Sequence, residues 1–183
     1  MLYLAVAFTA FVAAILFAKQ FFAWPLLIAT PFALVQVTYD WKGRRRVLLP
    51  ELAGAIAIAS LAPALALGAG WGWPASLALW AVMIARSTPA IVYVRACLAR
   101  LHGKSVSTLP VWVVHALAIA VVAALARAGV APQLGVVAMV ILLVRAVGGI
   151  YLHGVTPKQL GFSEIAFGTI TVLAVVFGSL FQL

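Results

Sequence analysis

Polar residues along this chain are scarce and come in short groups. Between the groups run seven apolar stretches, at roughly 2–17, 22–39, 50–69, 73–94, 110–127, 132–153 and 163–181. A helix needs about 20 apolar residues to cross the hydrocarbon core of a bilayer. Six of the stretches approach that length and the first is short for a span. The pattern predicts an all-α fold, a polytopic transmembrane helix bundle of about seven spans in a single domain covering residues 1–183. The third and fourth spans meet at Gly68-Ala-Gly-Trp-Gly-Trp-Pro74, a tight turn whose two tryptophans suit a membrane interface. Pro50 and Pro110 fall where helices begin, and there a missing N–H costs nothing.

Composition sharpens this picture. Of the 183 residues, 67% are apolar and 8% are charged, against roughly 25% charged in soluble domains. A water-soluble enzyme and a disordered or fibrous chain are both excluded. The chain has 12 Lys+Arg against 3 Asp+Glu, a formal net charge of +9. In a soluble protein that excess would suggest nucleic acid, but here the cations sit in short loops between spans, with no stretch long enough for a nucleic-acid domain.

The charge reads instead as topology. Lys42, Arg44, Arg45, Arg46, Arg95, Arg100, Lys104 and Lys158 fall on one side, and only Lys19 and Arg127 on the other. Basic loops stay in the cytoplasm, so the N-terminus is expected inside and the C-terminus outside. Lys42, Arg44, Arg45 and Arg46 are expected to meet anionic lipid headgroups. The Met1–Phe17 stretch lacks a basic leader and reads as a first span rather than a cleaved signal peptide. The single cysteine, Cys97, forms no intrachain disulfide. His102, His115 and His153 stand alone, so neither a metal site nor any other cofactor is expected.

A faint internal repeat runs through the chain. Thr30-Pro31 recurs as Thr88-Pro89 after 58 residues, Leu49-Pro50 as Leu109-Pro110 after 60, and Arg86 as Arg145 after 59. Spans 2–3, 4–5 and 6–7 would then be three hairpins of like orientation, each a broken helix, a basic loop and a second helix.

The candidate chemistry lies in the few charges inside spans. Arg86 precedes Arg95 by nine residues and Arg145 precedes His153 by eight. At about 1.5 Å per residue both guanidiniums lie ~12–14 Å from the basic end. An arginine near mid-bilayer costs about 2.5–3.5 kcal/mol even on lenient scales, so each must face the bundle interior or a wet cavity and find an acceptor. Pro89 follows Arg86 and Gly148-Gly149 follows Arg145, and either element can loosen its helix.

The acids are Asp40, ending span two, Glu51, opening span three, and Glu164, opening span seven. The last two positions favour an anion through the helix dipole. These residues fit either a structural ion-pair network of Arg86 and Arg145 with Glu51 and Glu164, or a cytoplasm-facing pocket holding a phosphate, diphosphate or carboxylate. Tyr93, seven residues after Arg86 on the same helical face, either lines such a pocket or sits at the interface. His115, one turn into span five, pairs with Glu51 or Glu164, relays a proton, or bonds a backbone carbonyl.

Four stretches together resemble the YwiC-like family of bacterial integral membrane proteins. They are Leu49-Pro-Glu-Leu-Ala-Gly-Ala55 after a basic loop, Arg86-Ser-Thr-Pro-Ala-Ile-Val-Tyr-Val-Arg95, Arg145-Ala, and Pro157-Lys-Gln-Leu-Gly-Phe-Ser-Glu164. The resemblance covers most of residues 20–183 and implies a helical inner-membrane protein with no established function. Family members carry a further N-terminal segment with a His-Gly-Ala-Trp-type motif that this chain lacks, so it is expected to start late.

Tyr39-Asp-Trp-Lys-Gly-Arg44 is more loosely similar to the diphosphate-holding loops of UbiA-type intramembrane prenyltransferases. Those enzymes use two aspartate clusters for Mg²⁺, whereas this chain has one Asp. A protein that binds or transports an anionic or amphipathic small molecule is the leading expectation. A lipid-modifying enzyme, with the acids as acid/base groups, and a structural membrane subunit are the alternatives.

Overall fold

The computed structural model describes residues 2–44, 46–151 and 156–181. Arg45 and His153 lie outside them. The described residues form eight helices and no strand. These are α1 (Leu2–Phe17), α2 (Trp24–Trp41), α3 (Leu48–Ala59), α4 (Leu61–Gly68), α5 (Trp73–Leu101), α6 (Leu109–Arg127), α7 (Gln133–Tyr151) and α8 (Pro157–Phe181). Helices α3 and α4 follow one another as a single rod, Leu48–Gly68. That rod and α5, α6, α7 and α8 are the five helices long and apolar enough to cross a membrane. The apolar part of α1, Ala5–Phe17, is shorter.

The outer faces confirm the solvent. Ile58, Leu61 and Leu65 on the α3–α4 rod, Leu117 and Val121 on α6, Val140 and Val144 on α7, and Ile165, Val172, Val176 and Leu180 on α8 are all exposed. Apolar surface on this scale belongs in hydrocarbon, since soluble monomers rarely expose contiguous patches beyond a few hundred Å². The chain is a multi-pass helical membrane bundle.

Helix α5 lies at its centre and packs against α3, α4, α6, α7 and α8. One half of the core gathers Val82, Val122, Met139, Leu142 and Val175. The other gathers Tyr93, Cys97, Val111, Ala146, Ile150 and Leu160. The indole of Trp80 on α5 donates to the Ile56 carbonyl on α3 at 3.1 Å and pins the two helices in register. Helices α2 and α3, α5 and α6, and α7 and α8 pack as neighbours, as three hairpins require, although α6 packs against α7 as well.

Two boundaries and two expected breaks differ from the sequence expectation. Helix α5 continues to Leu101, so Arg95 and Arg100 ride on its last turns rather than in a loop. Helix α8 begins at Pro157, so Glu164 stands two turns inside it and not at its opening, where the dipole would have held it. The chain also passes through Pro89 and through Gly148-Gly149 as unbroken helix. Ser87 caps the Met83 carbonyl at 2.7 Å beside Pro89, and packing on several sides supports the weakened turn.

The break falls at Ser60 instead. Pro63 removes the N–H that would bond the Ala59 carbonyl, and its ring crowds that carbonyl. Helix α3 therefore ends at Ala59, and the Ser60 hydroxyl donates to the Ala57 carbonyl at 2.6 Å.

Replacing Trp80 by Phe removes the α5–α3 hydrogen bond while keeping an aromatic ring. The expected loss is about 0.5–1.5 kcal/mol, read as a lower midpoint for unfolding in mixed detergent micelles.

Candidate functional site

Arg86 and Tyr93 stand two turns apart on one face of α5 and reach α8 and α7 respectively. Arg145 projects from α7 and Glu164 from α8. The single carboxylate of Glu164 lies between two guanidiniums. Arg145 Nη1 donates to Oε1 in a close ion pair. Arg86 Nη2 is 3.7 Å from Oε2 and donates instead to the Glu164 main-chain carbonyl at 2.8 Å.

That second bond depends on Gly168. In a helix the residue four positions on lies above a given carbonyl, and a Cβ at Gly168 would stand 2.7 Å from Arg86 Nη2. The glycine opens the flank of α8 so the guanidinium can reach main chain. Gly149 does the same on α7, since any Cβ there would overlap the Tyr93 hydroxyl. Gly54 on α3 likewise makes room for the Gln36 amide from α2.

The two arginines are not equivalent. Arg145 is closed in, with its guanidinium carbon 4.3 Å from the centre of the Tyr93 ring and 5.2 Å from that of Phe167. Both faces suit a cation, and only 7% of its side chain is exposed, against 23% for Arg86. Two guanidiniums and one carboxylate leave a net charge of +1. The Nε of Arg86 and the Nε and Nη2 of Arg145 have no hydrogen-bond partner among the described residues.

The other sequence candidates separate. Glu51 pairs with Arg95, Nη1 to Oε2 at 2.9 Å, and not with Arg86 or Arg145. The same Arg95 nitrogen donates to the Arg46 carbonyl at 3.1 Å. His115 is buried, with Nδ1 on the Val111 carbonyl at 2.7 Å, so it answers its own helix rather than either glutamate. Asp40 takes a 3.3 Å hydrogen bond from Gln36 Nε2 within α2, away from both arginines. Tyr93 is 3% exposed and packs under Arg145, so it is neither an interfacial tyrosine nor a residue of an open pocket. Among the described residues no group of three or more His, Cys, Asp or Glu could hold a metal ion.

Residues 1–66 match the YwiC-like protein family. The match begins at residue 1 and spans α1 to α3 and most of α4, a shorter and more N-terminal region than the resemblance read from the sequence motifs. No curated protein matches the chain. No solved structure matches it either. The similarity to prenyltransferase loops finds no support in these comparisons.

The YwiC-like segment forms one wall of a cavity of about 770 Å³ whose other walls are α5 and α8. It contributes Gln36, Glu51 and Gly54, and the facing side contributes Arg86, Arg95 and Glu164. A second, mainly apolar groove of about 840 Å³ adjoins it along the α3–α4 rod and opens to the outer surface of the bundle, lined by Ile58, Leu65, Met83, Ile165 and Val172. Both include Arg86 and Glu164, and neither is lined by Arg145. Arg86 lines both of these cavities, whereas Tyr93 and Phe167 pack against the Arg145 guanidinium.

Gly168, Phe167 and Gln36 escaped the sequence reading, and Gly149 stood there as a loosening element rather than as space for Tyr93. The spacing of Glu164 to Gly168, a polar residue followed four positions later by glycine, was the available signal for the first.

Glu164→Gln leaves two guanidiniums facing each other in low dielectric and should cost about 3–5 kcal/mol. Gly168→Ala should cost about 1–3 kcal/mol by displacing Arg86. Both are read from unfolding midpoints in micelles, with the glutamine variant the less stable.

Proposed function

We propose that this membrane protein binds, and by doing so carries or presents, an anionic amphipathic small molecule in the cavity at Arg86. The asymmetry of the two arginines supports this most directly. Arg145 is enclosed and closely ion-paired with Glu164, whereas Arg86 keeps only a long contact to the carboxylate, is more exposed and lines both cavities. Arg145 and Tyr93 hold Glu164 in place. Glu164 in turn acts as the internal anion beside Arg86, and the site's residual +1 charge favours a ligand carboxylate or phosphate there. The adjoining apolar cavity has the shape and lining for an acyl or prenyl-like chain.

The excess of Lys and Arg near one end of the bundle supports a cytoplasmic placement for that end. Lys42, Arg44 and Arg46 are exposed there and suit anionic headgroups; the fourth residue of that group, Arg45, is outside the described residues. A lipid-modifying enzyme is the second choice, because Glu51 and Glu164 both line the cavity with Arg86. Each is already paired with an arginine, which opposes the protonation cycle a general acid or base requires.

Purification in mild detergent followed by mass spectrometry of bound lipids and metabolites tests the proposal. The wild-type protein should retain an anionic amphipath, and folded Arg86→Gln should retain at least about tenfold less, the loss of one charge-assisted contact. Equal retention by a folded Arg86→Gln protein would overturn it.

A further inference from the structure

At the basic end of the bundle a third cavity, of about 880 Å³, is bounded by Arg46, Arg95, His102, Lys104, Ser107 and Glu51. Its walls are built from the starts of three helices. Leu48 opens α3, Pro110 follows the first residue of α6, and Pro157 opens α8, and all three line the space. A helix start carries a partial positive charge of roughly half a unit and a helix end the opposite, so the end of α5 at Leu98, Ala99 and His102, which also lines the space, offsets one of the three starts. Among the side chains, Arg46, Arg95 and Lys104 outweigh Glu51, leaving a formal charge of +2 before His102 is counted. The complement of such a site is a dianion.

Arg95 and Glu51 line this cavity and the inner one alike. Their ion pair is the partition between the two, and Arg95 is held to it by Glu51 and by the Arg46 carbonyl. His102 and Lys104 are exposed on the outer side of that partition.

We propose that this cavity is a separate binding site for a phosphate-bearing dianion, a phosphate monoester or diphosphate group, with Lys104 and Arg46 as outer donors, Arg95 as the inner one, and His102, whose Nδ1 is held by the Leu98 carbonyl at 2.6 Å, donating through Nε2 as the imidazolium. The site does not depend on what occupies the cavity at Arg86. The phosphate can come from a soluble molecule or from a lipid headgroup.

The test uses the full chain in nanodiscs of phosphatidylcholine, titrated with inorganic pyrophosphate at low salt and followed by calorimetry. The wild-type protein should bind. The double variant His102→Gln/Lys104→Gln alters two exposed side chains and should bind at least about tenfold more weakly. Arg127→Gln, at the opposite end, should leave binding unchanged. No binding by the wild-type protein, or equal binding by the double variant, would overturn the proposal. Replacing part of the phosphatidylcholine by phosphatidic acid, whose headgroup is a phosphate monoester, distinguishes the sources. A sharp loss of pyrophosphate affinity that the double variant does not share supports a lipid headgroup as occupant, and an unchanged affinity supports a soluble phosphate compound.

Discussion

One carboxylate shared by two guanidiniums holds the second half of this bundle together. In hydrocarbon, burial between apolar helices gives little net driving force, because lipid tails are as apolar as leucine. Polar contacts and close packing must supply the specificity. Glu164 brings α8 to Arg145 of α7 and Arg86 of α5 at once, and an unpaired charge at this depth would be costly. The relative placement of α5, α7 and α8 follows from satisfying that one group.

Glycine turns this requirement into geometry. Arg86, Tyr93 and Gln36 are large side chains that reach across to a neighbouring helix, and each lands where that neighbour has no Cβ. A shift of α8 by one residue along its axis would present Phe167 or Thr169 in place of the gap at Gly168. The polar contacts and the helix register therefore reinforce each other, and the same closeness encloses Arg145 while leaving Arg86 at a cavity wall.

Much of the architecture was legible in the sequence. Apolar stretches separated by polar groups set the helical rods, because in a membrane each rod must satisfy its own backbone. Arg86, Arg145 and Glu164 stood out as charges where charge is expensive, and they do meet. Their unequal roles were not legible, since both arginines have similar depth and similar flanks; the difference arises from Phe167 and Tyr93, ordinary aromatics in an apolar run. The pairing of Glu51 with Arg95 was hidden because α5 extends past the last hydrophobic stretch, carrying a cation assigned to a loop. The expected breaks at Pro89 and Gly148-Gly149 failed for a related reason. A weak turn in a central helix is supported by its neighbours, whereas Ser60 lies in a rod that only partly faces the core.

The interruption at Ser60 also bears on how the polypeptide enters the bilayer. Helix α3 has 12 residues and α4 has 8, and 12 residues rise only ~18 Å, well short of a hydrocarbon core of about 30 Å. Neither piece can be integrated by itself, so the translocation machinery must accept the pair as one passenger with its flaw at mid-depth. The Ala59 carbonyl, which Pro63 deprives of its helical donor, enters the hydrocarbon as part of that passenger.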